Sequence, residues 1–174
     1  MPPGPTIAQT RIVREQQNRT GTLDLGNLGL TEWPNQLWDL SHLTTLNLGV
    51  GWLDENLSFH FAEPGIDYAP NSLSPAGARD LWSRLPNLQT LSLAGPRGDG
   101  SPWDDLTGFE ALTQLRVLDL SWTGVDDLTP LSHLTNLQVL DVSYTFISTI
   151  APLSHLTALR HLDYAHTPAA GLTN

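Results

Sequence analysis

Leu115-Arg116-Val117-Leu118-Asp119-Leu120-Ser121-Trp122-Thr123, Leu137-Gln138-Val139-Leu140-Asp141-Val142-Ser143-Tyr144-Thr145 and Leu159-Arg160-His161-Leu162-Asp163-Tyr164-Ala165-His166-Thr167 align without a gap at a spacing of 22 residues. The intervals repeat as well, since Asp127-Leu128-Thr129-Pro130-Leu131-Ser132-His133-Leu134 returns as Thr149-Ile150-Ala151-Pro152-Leu153-Ser154-His155-Leu156. Looser copies precede them: Thr22-Leu23-Asp24-Leu25, Leu43-Thr44-Thr45-Leu46-Asn47-Leu48 and Leu88-Gln89-Thr90-Leu91-Ser92-Leu93. Six strand cores result. In an L-x-L segment the leucines share one face of a short strand and the residues between them share the other. One such unit cannot bury its apolar face alone, so the copies stack, with their strands in a parallel sheet and the return segments forming the opposite wall.

The predicted architecture is therefore an α/β solenoid, a right-handed coil with a short-stranded parallel sheet on its concave face and turns or short helices on its convex face. Pro130 and Pro152 each open a Leu-Ser-His-Leu run, which suits a turn or short helix and not a long one. The pattern L-x-x-L-x-L-x-x-[N/T]-x-[L/I/V] resembles the leucine-rich-repeat signature over nearly the whole chain. The 22-residue copies, with Thr123, Thr145 and Thr167 where many members carry Asn, are similar to the bacterial, internalin-like short-repeat subclass. The front segment, Ile12 to Leu48 with Leu23-Asp24-Leu25-Gly26-Asn27-Leu28-Gly29-Leu30-Thr31-Glu32-Trp33-Pro34, resembles the opening of repeat regions in bacterial Roco proteins, where such a region precedes a GTPase domain. No Gly-x-x-x-x-Gly-Lys-Ser/Thr segment occurs here, so that second resemblance implies no nucleotide activity.

The repeat breaks between Leu46 and Leu91, 45 residues or about two periods apart. No L-x-L stands at the midpoint near Tyr68. Ile66 to Asn71 reads as a degenerate strand, and Leu57-Ser58-Phe59-His60-Phe61 as a protruding loop. Leu73 to Leu85 reads as a helix, with Ser74 as its N-cap, Pro75 at its first position and Pro86 as its stop. Five extra residues before Leu118 fall in Gly95 to Pro102, which also holds Arg97-Gly98-Asp99; that tripeptide resembles an integrin-recognition motif but reads as loop chemistry. The chain is expected to be one domain: a short amphipathic cap at 1–20, two repeats at 21–50, an irregular repeat or insertion at 51–87 and regular repeats at 88–174 without a C-terminal cap. An uncapped end implies either a fragment of a longer protein or an end covered by a partner.

Composition narrows the function. Eighteen acidic residues against eight basic ones give a formal charge of -10, which repels phosphate backbones and anionic membranes. The chain has no cysteine, so it has no thiolate chemistry and suits a reducing, cytoplasmic setting. No secretory signal or spanning apolar run is present. His42, His133 and His155 share one repeat slot. His161, Asp163 and His166 are the nearest approach to a metal set but lack supporting logic, and no nucleophile elbow or positioned acid accompanies the Ser-His pairs. Neither cofactor nor metal is expected, and no catalysis.

Two features point to binding. Asp119, Asp141 and Asp163 fall side by side in an outward column that continues Asp24, Asn47 and Ser92. Neighbouring carboxylates on strands about 4.8 Å apart repel. A basic partner would relieve that; alternatively the aspartates accept local backbone hydrogen bonds. Trp122, Tyr144 and His166, each just before its repeat threonine, form either an exposed aromatic ridge or packing against the next turn. The expectation is a non-catalytic protein-binding module using Asp119, Asp141, Asp163, Trp122, Tyr144 and His166. The alternatives are the regulatory front of a larger Roco-like GTPase and a structural solenoid that self-associates through its open end.

Overall fold

A computed structural model describes residues 4–61, 69–97 and 101–172. Eight short strands occur among them: β1 (Thr22–Asp24), β2 (Thr45–Asn47), β3 (Gly51–Leu53), β4 (Phe59–Phe61), β5 (Thr90–Ser92), β6 (Val117–Asp119), β7 (Val139–Asp141) and β8 (His161–Asp163). Six of them form one parallel sheet in the order β1-β2-β5-β6-β7-β8. The register runs Leu23, Leu46, Leu91, Leu118, Leu140, Leu162, which is the alignment of the repeats. Behind the sheet Leu25, Leu43, Leu46, Leu88, Leu91, Leu115, Leu118, Leu120, Leu137 and Leu140 are fully enclosed. The return wall consists of short 3-10 turns, among them Thr129–Leu131 and Ala151–Leu153, each opening on the proline pattern.

The helix α1 (Gly4–Asn18) packs Ala8 and Ile12 against the first repeat. Its polar residues cover the edge of the sheet. Arg11 Nη1 donates to the carbonyl of Asp24, and the buried Glu15 carboxylate accepts from the Gly21 and Thr20 backbone and from the Thr20 hydroxyl. Bonded in this way, β1 offers no free backbone ladder at those positions to another strand. Glu15 also meets His42 Nε2 at 2.8 Å. His42 therefore differs from the exposed His133 and His155, although all three occupy the same repeat slot. Burial pushes the Glu15 carboxyl up, but the bonds from Thr20, Gly21 and His42 outweigh it and hold the group below its ordinary value.

The 45-residue interval holds no missing strand of the sheet, since β2 pairs directly with β5. The second repeat is instead interrupted after Val50 and resumed at Asn71. Asn71 Nδ2 donates to the carbonyl of Leu48, which is the bond that Thr123, Thr145 and Thr167 make to Leu120, Val142 and Tyr164 in their own repeats. It also donates to Leu25 O, and its Oδ1 accepts from Leu30 N. Asn71 thus occupies the consensus polar position of the second repeat, and residues 51–70 are an insertion. Of the expected degenerate strand, Ile66, Asp67 and Tyr68 lie outside the described residues, and Ala69 makes a single parallel bridge to Leu28. Asn71→Ala strips partners from three backbone groups, and a loss of about 2 kcal/mol is expected in urea unfolding.

The expected helix from Leu73 to Leu85 is not one helix but two 3-10 turns, Pro75–Gly77 and Trp82–Arg84, and Ser74 makes no side-chain cap. The bonds run three residues back, from Ala78 to Pro75, Leu81 to Ala78 and Leu85 to Trp82. The more stretched 3-10 path puts Leu73, Ala78, Trp82 and Leu85 into the core together. Gly77 fits because its bare Cα lies against Trp33, whose ring a Cβ would strike at 2.7 Å. Trp82 is the hub of an aromatic cluster with ring centroids 5.6 Å from Trp38, 5.9 Å from Trp33, 6.2 Å from Trp103 and 5.2 Å from Phe109.

The stretch from Gly51 to Phe61 is not a protruding loop. β3 and β4 pair as an antiparallel hairpin that lies over the outward face of the sheet, with β3 packed against β5 and β6. Ser92 Oγ donates to the carbonyl of Gly51. Gly98 and Asp99 of the Arg-Gly-Asp tripeptide, and Thr173 and Asn174, lie outside the described residues. No helix among the described residues is long and apolar enough to cross a membrane.

Candidate interaction surface

The outward column is present in register: Asp24, Asn47, Ser92, Asp119, Asp141, Asp163. Each of its six side chains accepts a hydrogen bond from the backbone N–H two residues further on, at Gly26, Gly49, Ala94, Ser121, Ser143 and Ala165. Asp119 and Asp141 also accept from the hydroxyls of Ser121 and Ser143. The side chain bends the backbone at the exit of every strand, so the repeat uses an acceptor there whatever else the column does.

The column is not uniformly open. Asn47, Ser92 and Asp119 are 1%, 0% and 2% exposed, and Val117 and Val139 are similarly enclosed. Asp163 is half-buried and open to solvent. Sequence periodicity treats these positions as equivalent; the hairpin separates them. Burial pushes the Asp119 carboxyl up, the charge of Asp141 adds to this, and together they exceed the opposing bonds from Ser121 to place it at about 6. Asp141 is raised as well, by burial first and then by Asp163, against bonds from Ser143 and the influence of His161.

Beyond the column, Trp122, Tyr144 and His166 stack as a ladder. The first two rings are 3.8 Å apart and 11° from parallel, the second pair 4.2 Å and 16°. The spacing follows from the sheet, whose strands sit just under 5 Å apart, with the rings drawn into van der Waals contact. All three residues are in the left-handed backbone region, with φ of 58°, 56° and 58°, a conformation unfavourable for a bulky side chain. The rings cover one another's faces and leave their edges to solvent; Tyr144 is 39% exposed and Phe146 close by in sequence is 68% exposed. Ring packs on ring from one repeat to the next, and the edges of the ladder remain accessible. Tyr144→Ala removes both stacking contacts. A loss of about 1–2 kcal/mol, with a change in Trp122 fluorescence, is the expected result in a urea titration.

His161, Asp163 and His166 are not drawn together, because His166 is stacked on Tyr144, and among the described residues no group of three His, Asp or Glu side chains is placed to hold a metal ion. A cleft of about 440 Å³ between α1 and β1 is lined by Arg11, Glu15, Thr20 and Asp24 among others, and these are the groups that bind the cap to the sheet. The sequence reading missed Asn71 and the hairpin. Asn71-Ser72-Leu73 matches the N-x-L end of the signature and was the available signal.

No family model and no curated protein matches the chain. Among solved structures, internalin C2 of Listeria monocytogenes is similar at 21% identity and a TM-score of 0.66, over 94% of this chain and 63% of that one. A second Listeria monocytogenes internalin matches at 18% identity and 0.59, over 84% of this chain and 34% of that one. A leucine-rich-repeat protein of Leptospira interrogans matches at 20% and 0.65, over 89% and 34%. The chain thus spans between a third and two thirds of the length of these proteins, and the likeness establishes its fold as a leucine-rich-repeat coil.

Proposed function

We propose that this leucine-rich-repeat coil is a non-catalytic recognition module that binds a protein partner along the rim of β6 to β8, through Trp122, Tyr144, His166, Asp141 and Asp163. The observation that carries this reading is the accessible aromatic ladder. Three consecutive repeats hold rings in a backbone conformation that disfavours them, and the fold would be served there by Gly or Asn. Rigid rings bordered by carboxylates are effective contact residues, since they bury much area at small entropic cost. The partner surface this suits is apolar with basic flanks. Asp119 contributes from beneath the hairpin and is not a contact residue while the hairpin is seated.

The test is capture from the source organism's lysate by the immobilised chain, alongside a Tyr144→Ser, Asp163→Asn variant shown by circular dichroism to be folded. Partners retained by the wild type, lost by the variant and weakened in about 0.5 M salt support the reading. Equal capture by both proteins removes it.

A further inference from the structure

The hairpin bears a relation to the sheet that the coil itself does not require. Its turn reaches past β6, so that Glu55, Asn56 and Leu57 face Val139, Arg160 and His161 across a cleft of about 220 Å³. The floor under the hairpin is apolar at Val117 and Val139. At the far end stands Arg160, which bonds Gln138 Oε1 at 2.7 Å and has no ion-pair partner among the described residues. A cationic end is unusual in a chain of charge -10, and the hairpin brings to it an acidic turn, Asp54-Glu55.

The base of the hairpin is enclosed at Gly51, but its turn end is lightly seated. Leu57 and Phe59 stay 45% and 46% exposed, and Leu57 is held at φ 64°. The turn depends on Asp54, which accepts from Asn56 N and Ser58 N and meets His60 Nε2 at 3.1 Å. A two-stranded hairpin has little stability of its own, so what keeps this one folded is the groove.

We propose that the groove floored by Val117 and Val139 and ended by Arg160 and His161 is a docking groove for an acidic, apolar hairpin or loop of a partner protein, and that the inserted hairpin occupies it in cis as a competitor. The chemistry of the occupant is read from the lining: Arg160 and His161, which share the cleft with Glu55, suit a carboxylate, and the enclosed Val117 and Val139 suit aliphatic or aromatic side chains. A polyanion such as nucleic acid is opposed by Asp119 and Asp141 along the same strands; acidic groups are accepted only at the arginine end. The site is separate from the aromatic rim, and its test leaves Trp122, Tyr144 and His166 unchanged.

The probe is a backbone-cyclised peptide of residues 51–61, titrated to a few mM while the amide resonances of Val139, Arg160 and His161 are followed. Asp54→Ala breaks the turn and releases the tethered hairpin; Asp54→Ala, Arg160→Glu releases it but reverses the receiving charge. The peptide is expected to bind Asp54→Ala with a Kd about fivefold below that for the double variant. Wild type is expected to bind more weakly than Asp54→Ala, because its own hairpin competes at an effective concentration of about 1 mM. Equal binding to both variants, or none to Asp54→Ala, overturns the proposal. So does unchanged hydrogen-exchange protection of 51–61 in Asp54→Ala, which would mean the hairpin is not displaceable. Dimers of Asp54→Ala in the absence of peptide would make a second copy the occupant and overturn the separate partner.

Discussion

Trp82→Ala is expected to lower the unfolding free energy by about 4 kcal/mol, the largest effect of any single substitution argued from this structure. Trp82 is wholly enclosed and meets rings from the two flanking repeats: Trp33 and Trp38 of the first, Trp103 and Phe109 of the third. In a stacked coil each repeat contacts only its neighbours, so stability is set by the interfaces between them. Removing the hub leaves a cavity at two interfaces at once, and the four surrounding rings are too rigid to collapse into it. Chemical unfolding followed by circular dichroism checks the magnitude. The regular repeats 115–167 contribute no ring to the cluster and should keep their strand signal after the front repeats unfold, so the transition of the variant should also be broader. A loss below about 1 kcal/mol, in a single sharp transition, would contradict the assignment of Trp82 as hub.

Asp119→Asn is expected to stabilise the protein at neutral pH by about 2–3 kcal/mol. The Asp119 carboxyl is raised from 3.8 to about 6 by burial and by Asp141, and an elevation of that size corresponds to about 3 kcal/mol between its protonated and ionised forms. Between those two values the folded protein holds a proton that the unfolded chain has released. Stability from this group is therefore fully present below pH 4 and falls as pH rises to 6. Asparagine keeps the Oδ1 acceptor for Ser121 and carries no charge, as Asn47 already does at the same register position. The variant and the wild type should be nearly equally stable near pH 4 and diverge up to about pH 6.5. Curves that stay parallel across this range would show that Asp119 is not enclosed.

These two residues show where the sequence was sufficient and where it was not. The sheet register could be read because a period of 22 residues places leucines at fixed offsets, and nothing outside a repeat is needed to interpret them. The interval from Leu46 to Leu91 was misread because its length is close to two periods. The direct pairing of β2 with β5 and the bond from Asn71 to the carbonyl of Leu48 distinguish an insertion from a degenerate copy. Ser74-Pro75 is a sound start signal, yet it serves a 3-10 turn as well as an α-helix, and the choice was made by the space around Trp33 and Trp82. The local bonds of the aspartates were foreseeable from their side-chain length. The burial of Asp119 was not, since it depends on a hairpin inserted some seventy residues earlier in the chain. The stacking of Trp122 on Tyr144 follows from the repeat, but its left-handed backbone leaves no mark on the sequence beyond the rings themselves.

The joint between Val50 and Asn71 has a meaning for how such a protein changes over generations. The coil runs from Val50 to Asn71 as if nothing lay between them: the sheet passes straight from β2 to β5, and Asn71 makes the bond its counterparts make in repeats that carry no extra segment. A cassette can therefore be lost, lengthened or exchanged at this joint without disturbing the stacking that holds the molecule together. Selection acting on recognition is separated there from selection acting on folding, and the same joint offers a protein engineer a place to graft a new loop over an existing surface.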